Sequence, residues 1–435
     1  MKSRDSRPRI NRWRAAAGAF LAVGVGLIPC AIAGSAANAS ESAVSVTSSS
    51  ITNYAAYTHG NATAANPRLS PVTIGWVNQQ GGGLAFPNAT LGAQAAVKYI
   101  NTRLGGIAGH PLQLATCFIS QSESEGTACG QQLVNNPAVK VILYGSLIFG
   151  DTSFQAVDQG TKPILIANSI STVDSNAKNV YVFNGNPSSI FGGIATYVAK
   201  VLRVKSVSVI YPQDAQSVAG AQALGSALKS VGVTAKSVGF DSSATDLTAP
   251  LVAAGAGSTG AVIPLVSLPP ACVSAAQAIT SLKITSPVIA AGSFCFSPPV
   301  LAGLGGQYPK WTQTSTQSNV ADPTQPDVRA YLLASAKVGL PASVRTDSNA
   351  ALAWGLVMTS ARFLNLGGGA KATASTIAAQ ARSFTGPMLL GGPVIKCGKY
   401  KSAPGLCGAE TRNFLSLGGG QFRAVSGWLE PTGIK

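Results

Sequence analysis

Histidine is almost missing from this chain: His59 and His110 are the only two in 435 residues. Charge is scarce as well. Only 11% of residues are charged, 15 of them Asp or Glu, and no C-x-x-C occurs. These lacks remove most of the chemistry a chain of this length could carry. His59 sits in a stretch of small polar residues and His110 in a turn before Pro111, so a Ser-His-Asp triad has no suitable base. Glu123 and Glu125, two apart, would not share a helix face, and no acid pair suggests a general acid/base dyad. Neither a zinc nor a calcium ligand pattern is present. No catalytic residue, no metal and no cofactor is therefore assigned.

The formal charge of +16 does not point to nucleic acid. The first 39 residues hold six Lys/Arg against one Asp, leaving 25 basic and 14 acidic residues, or +11, on the rest. Those basic residues are spread thinly with no run of four, whereas a nucleic-acid footprint needs a clustered stripe. Gly255-Ala256-Gly257-Ser258-Thr259-Gly260 matches G-x-G-x-x-G letter for letter. The dinucleotide mechanism needs a strand before that loop and a helix after it. Here a helical stretch precedes it and a strand follows, so it reads as a plain turn.

What is present begins with an export signal. Lys2, Arg4, Arg7, Arg9, Arg12 and Arg14 precede the apolar run Ala15–Ile28, and Ala37-Asn38-Ala39 fits an A-x-A cleavage site. Two alternatives stay open: an uncleaved anchor over the uncharged Ala15–Ala37, or a lipoprotein acylated at Cys30. The expected location is extracytoplasmic in each case. Residues 40–70, rich in Ser, Ala, Thr and Asn, read as a flexible tether. Setting Cys30 aside leaves six cysteines, an even count that suits disulfides in an oxidising compartment. Six allow 15 pairings; the local one, Cys117/Cys129, Cys272/Cys295 and Cys397/Cys407, is chosen for its short gaps.

From Val72 the pattern repeats strand, loop, helix, glycine, strand. "VTIGWV" (Val72–Val77) is a β-rich run followed by Gly81-Gly82-Gly83. "LGAQAAVKYINTRLGGIAGHPLQLATC" then sets Ala93, Ala96, Val97, Ile100 and Leu104 on one helical stripe that Gly105-Gly106 ends. This is a parallel βαβ unit. Further strands are expected at Leu112–Thr116, Val139–Tyr144, Pro163–Ala167 and Val180–Phe183. A second series runs through Val204–Tyr211, Val233–Phe240, Ala261–Val266 and Pro287–Ala290. "WTQTSTQ" (Trp311–Gln317) reads as one more strand. Helices near Pro326–Val338 and Asn349–Leu366 and a hairpin turning at Gly418–Gly420 follow. Two tandem α/β lobes are the expected fold class, each a parallel sheet flanked by helices.

The order "IGWVNQQGGG…GAQAAVKYINTRLGGIAGHPLQL" resembles the opening of type I periplasmic solute-binding proteins, the branched-chain amino-acid, amide and urea receptors of ABC importers. The resemblance extends through Cys117 and Cys129, "KPILIANS", "VSVIYPQD" and the final hairpin, over essentially all of 71–435. It implies two Rossmann-like lobes joined by a three-crossing hinge. Lobe one would be 71–188 plus 312–380, and lobe two 189–311 plus 381–435. It also implies a monomeric, non-enzymatic receptor that takes a small solute and hands it to a membrane permease. A ligand sensor for a membrane signalling protein and an exported hydrolase or amidase are the competing functions.

Ligand contacts are expected at strand C-termini, where parallel sheets build their sites. Lobe one offers Asn78, Gln79, Gln80, Ser146, Phe149, Asn168 and Ser169; lobe two offers Gln216, Ser267 and Phe294. Amino-acid-binding relatives place acids in lobe two to hold the ligand's ammonium. The matching stretches here, "NPSSIF", "QDAQSV" and "AAGSFC", hold only Asp214. A neutral or anionic ligand is therefore expected, not a cationic or branched-chain amino acid.

Overall fold

In the computed structural model, which describes residues 50–82, 85–387, 390 and 392–435, the chain from residue 50 onward forms two α/β lobes. The expected signal peptide (1–39) and the first part of the expected tether lie outside the described residues. Lobe one is built on β1 (Val72–Gln79), β2 (Leu112–Ile119), β3 (Val139–Tyr144), β4 (Ile164–Ile166) and β5 (Val180–Val182), all parallel in the order β2-β1-β3-β4-β5. All eight residues of β1 are buried, as expected of a central parallel strand covered on both faces. One face packs against helices Pro87–Arg103 and Ser348–Leu366, the other against Glu123–Val134 and Asp151–Asp158.

Lobe two carries β6 (Ser206–Pro212), β7 (Thr234–Phe240) and β8 (Ala261–Pro264), parallel in the order β7-β6-β8. A bridge between Val262 and Val288 joins them to β9 (Ile289–Ala291) and β10 (Thr312–Ser315). A short pair, β11 (Thr385–Pro387) and β12 (Val394–Lys396), stands apart. β13 (Arg412–Gly418) then pairs antiparallel with β10 and with β14 (Gln421–Ala424). Gly418, Gly419 and Gly420 turn that last hairpin with positive φ at all three, a path side chains resist. Five described helices start on proline, at Pro87, Pro187, Pro269, Pro298 and Pro326. There the missing N–H costs nothing and φ is already helical. The G-x-G-x-x-G stretch is the turn from helix Thr248–Ala253 into β8.

Three expectations need correcting. Residues 50–70 are not a tether. Asn53 caps a helix, Tyr54–Thr58, and Ile51, Tyr54 and Tyr57 are buried in the lobe-one core. Tyr57 Oη bonds Thr359 Oγ1 (2.9 Å), Arg362 Nη1 donates to the Tyr57 carbonyl (2.7 Å), and Asn365 Nδ2 donates to the Thr58 carbonyl (2.8 Å). The lobe boundaries move as well. The expected lobe-one start at 312 fails because β10 pairs with β9 and β13, inside the lobe-two sheet. The segment from 381 to 409 belongs to lobe one: Phe384, Ile395, Cys397 and Cys407 join one of its cores and Tyr400, Ala403, Leu406 and Ala409 the other.

The chain crosses between lobes near Asn184–Pro187, at residues 316–318 and at residues 409–411. The C-terminal tail adds a further crossing. Leu429 pairs with Thr411 beside lobe two, whereas Ile434 packs on the lobe-one core and Ser402 N donates to the Lys435 carbonyl (2.9 Å). Lys399 pairs with Glu410 (2.7 Å) and Glu430 at this crossing. The disulfides are Cys117–Cys129, Cys272–Cys295 and Cys397–Cys407. The first ties β2 to the helix after it. The second ties helix Pro269–Ser281 to the loop beyond β9.

Candidate functional site

The C-terminal ends of β1, β3 and β4 form one lip of the interlobe crevice, and those of β6, β8 and β9 form the other. The amides closing β1 are spent on holding that lip in shape. Asn78 is fully buried; its Nδ2 donates to the Phe86 carbonyl (2.9 Å) and Thr90 Oγ1 (3.1 Å), and its Oδ1 accepts from Ser146 N (2.9 Å). Gln79 is equally buried and its Oε1 accepts from Ile148 N (2.8 Å). Gln80 Oε1 accepts from Thr90 Oγ1 (2.9 Å). Asn78 and Gln79 thus fix the 145–150 loop, whereas half-buried Gln80 is tied to the first turn of helix Pro87–Arg103. That loop carries Ser146, half-buried, and Phe149, exposed.

Asn168 spans toward the hinge, donating to the Asn184 carbonyl (3.3 Å) and to Thr316 Oγ1 (3.1 Å). Ser169 is buried and turned away from the crevice, donating to Asp174 Oδ2 (2.5 Å) and the Ser171 carbonyl (2.6 Å). On the lobe-two lip Gln216, Ser267 and Phe294 are all exposed. Asp214 caps helix Ala215–Ser230, accepting from Ser217 N (2.8 Å) and Ser217 Oγ (2.7 Å). Slight desolvation works to raise its pKa, but the Ser217 bonds outweigh it and leave the carboxyl below its ordinary value.

Sequence reading missed the residues that link the lips. Helix Ser348–Leu366 begins in the crevice, capped by Asp347, whose carboxylate accepts from Asn349 N (2.8 Å) and Ala350 N (3.2 Å). Ser146 Oγ donates to Asn349 Oδ1 (2.8 Å), and Ser348 Oγ lies 3.5 Å from Ser293 Oγ of lobe two. The pattern "TDSNAA" marks a helix start in the sequence, but not that it points at a loop some 200 residues earlier.

One buried acid sits behind the rim. Burial, helped by the charge of Asp151, pushes Asp174 up to about 6 against the opposing bonds from Ser169 and Gln155. A folded-state value above the ordinary 3.8 means the folded chain binds that proton more tightly than the unfolded chain. The ionised group therefore costs stability. The cost is absent below about 3.8, grows between 3.8 and 6, and is fully present above, on the order of 3 kcal/mol. Asp174→Asn is expected to raise the melting temperature at pH 7.5 and to leave it unchanged or slightly lower at pH 4. Thermal unfolding at the two pH values checks this; a variant less stable than the parent at pH 7.5 contradicts it.

Two lobes, each with a parallel sheet flanked by helices and facing a shared crevice across several hinge crossings, define the type I periplasmic binding protein fold. The sequence matches the family model described as periplasmic binding protein over residues 71–401, and the chain belongs to that family. No curated relative matches the sequence. Among solved structures it is similar to a leucine-binding protein of Thermotoga maritima, with TM-score 0.67 and 15% identity over 83% of this chain and 99% of the other. A solute-binding protein of R. palustris in complex with 4-hydroxybenzoate gives TM-score 0.66 and 13% identity over 83% and 98%. A fatty acid ABC transporter substrate-binding protein of Thermomonospora curvata gives 0.63 and 15% over 85% and 95%.

Proposed function

We propose that this protein is an extracytoplasmic receptor that captures a neutral or anionic solute between its lobes and delivers it to the permease of an ABC importer. The observation that carries the reading is the pair of facing lips, Ser146, Phe149 and Asn168 against Gln216, Ser267 and Phe294, on lobes that meet at Ser293 and Ser348. A solute touching both lips favours the closed arrangement by its extra contacts there. The neighbours named above are an amino-acid, an aromatic-acid and a fatty-acid binder, so the fold itself does not choose the ligand. Charge supports a choice. Among the carboxylates that follow the strand ends, Glu123, Glu125, Asp174, Asp214, Asp241 and Asp347 are each engaged by neighbouring turns and caps. Burying an ammonium with no free carboxylate would cost several kcal/mol, roughly 3–5.

A thermal-shift panel of amides, ureas, organic acids, sugars and amino acids on ligand-stripped protein tests the reading. Ligand at a hundred times its dissociation constant is expected to add about 2.7 kcal/mol. Small-angle scattering with that ligand is expected to show a smaller radius of gyration. Micromolar binding of leucine, isoleucine or valine, lost in Asp214→Asn, would overturn the charge argument. Saturation with no change in the scattering curve would overturn hinge closure.

A further inference from the structure

The C-terminal tail crosses between the lobes beside the hinge and is gripped on both sides. On lobe two it lies along helix Pro187–Thr196, at two consecutive glycines. A Cβ at Gly192 would stand 2.3 Å from the Thr432 carbonyl oxygen, and one at Gly193 would stand 2.1 Å from Thr411 Oγ1. The pair makes a notch that admits the tail and the 409–411 crossing at a range side chains would forbid. There Thr432 N donates to the Gly192 carbonyl (3.3 Å) and Thr196 Oγ1 to the Glu430 carbonyl (3.1 Å). Leu429 and Thr411 exchange both of their backbone bonds, at 2.7 and 2.9 Å.

On lobe one the grip is the loop closed by Cys397–Cys407. Its Ser402 donates from both N and Oγ to the Lys435 carbonyl (2.9 Å each), and Tyr400 and Ala403 belong to the core on which Ile434 packs. Lys399 reaches from the same loop to Glu410 on the crossing (2.7 Å) and to Glu430 on the tail. Among the described residues these are the only ion pairs. Exposed pairs contribute little, but the Glu410 side chain is 3% exposed. Burial works to raise its pKa; the Lys399 bond outweighs burial and holds the carboxyl below its ordinary value. Removing the lysine would leave that charge buried without a counter-ion. Little slack remains between the two grips. Thr432 on lobe two and Ile434 on lobe one are two residues apart, so at most about 7 Å of chain joins them.

We infer that residues 429–435 form a strap that limits how far the lobes open, with Lys399 as its clasp and Gly192–Gly193 as its seat. Rotation of one lobe against the other must stretch or dislodge a segment fixed to both. The strap therefore sets the resting balance of open and closed arrangements, which scales the apparent affinity for any solute the crevice takes. It goes beyond the receptor reading, because it concerns the range of the hinge and holds whatever the solute is.

Two measurements on the exported protein, with no solute added, test it. One is amide exchange over the tail; the other is the interlobe distance between spin labels attached through Lys283→Cys and Lys371→Cys. Both lysines are exposed, the first on lobe two and the second on lobe one. In Lys399→Met the Leu429 and Thr432 amides are expected to exchange at least about tenfold faster, the loss of one charge-assisted bond. The distance distribution is expected to broaden with them. Gly192→Ala, which pushes on the Thr432 carbonyl, is expected to do both while leaving the clasp residues in place. Glu430→Gln, at a side chain 53% exposed, serves if Lys399→Met does not fold. Lys401→Met, exposed on the same loop, is the control and is expected to change neither reading. Faster exchange with an unchanged distance distribution would overturn the strap and leave the tail a passive packing segment. Unchanged exchange in Lys399→Met and Gly192→Ala would overturn the clasp and its seat.

Discussion

Tyr54→Ala is expected to destabilise the protein by about 3–5 kcal/mol, the cost of removing a large ring from a packed core. The residue lies in the stretch whose composition suggests a linker, where truncation to alanine would cost within about 0.5 kcal/mol. Its ring is 4% exposed and packs edge-on to Trp354 and Tyr99, with centroids 6.0 and 5.9 Å away. Denaturant unfolding read at a lobe-one tryptophan decides between the two. A shift in midpoint too small to reach 1 kcal/mol would mean that residues 50–70 do not belong to the core.

A single methyl group is expected to have a comparable effect elsewhere. Helix Pro87–Arg103 crosses helix Ser348–Leu366 at Gly92, where a Cβ would lie 2.2 Å from the Ala350 carbonyl oxygen and 2.7 Å from its Cα. The obstacle is backbone in the first turn of the crevice helix, so it can yield only if that helix moves. Gly92→Ala is expected to cost about 3 kcal/mol through overpacking. The displaced helix start carries Ser348 and Asn349 with it, loosening their bonds to Ser293 and Ser146. Ligand affinity should fall by about tenfold, near 1.4 kcal/mol. Gly225→Ala, in helix Ala215–Ser230 with nothing within 4 Å of its new methyl, is the control. It is expected to gain about 0.5–1 kcal/mol from helix propensity and to bind normally. Stability loss in both variants, or in neither, would refute the crossing argument.

The parallel strands were readable because burial on both faces writes itself as continuous apolar runs, as in "VKVILY" of β3. β10 was readable as a strand but not as a member of lobe two. "TQTS" is polar, and which sheet it joins depends on pairing with β9 and β13, the latter about 100 residues away. Residues 50–70 misled because Ser, Ala, Thr and Asn dominate their composition. The signal there was spacing: Ile51, Tyr54, Tyr57 and Thr58 recur at three and four, a helical face in a stretch judged by content. At the site, topology brings the loops after those strands to the crevice. It could not say that Asn78, Gln79 and Ser169 use their polar atoms internally, because hydrogen-bond partners are a property of packed geometry and not of residue type.

The returning C-terminal tail decides what a reporter on this molecule would measure. Its last strands belong to lobe two, but Lys435 is held by Ser402 and emerges on lobe one. A dye or fluorescent fusion attached after Lys435 would therefore ride with lobe one. Paired with a second dye on Lys229 of lobe two it would read the distance between lobes, and paired with one on exposed Lys178 of lobe one it would stay silent. The terminus thus offers a ready attachment point for turning solute capture into an optical signal, with its own internal blank.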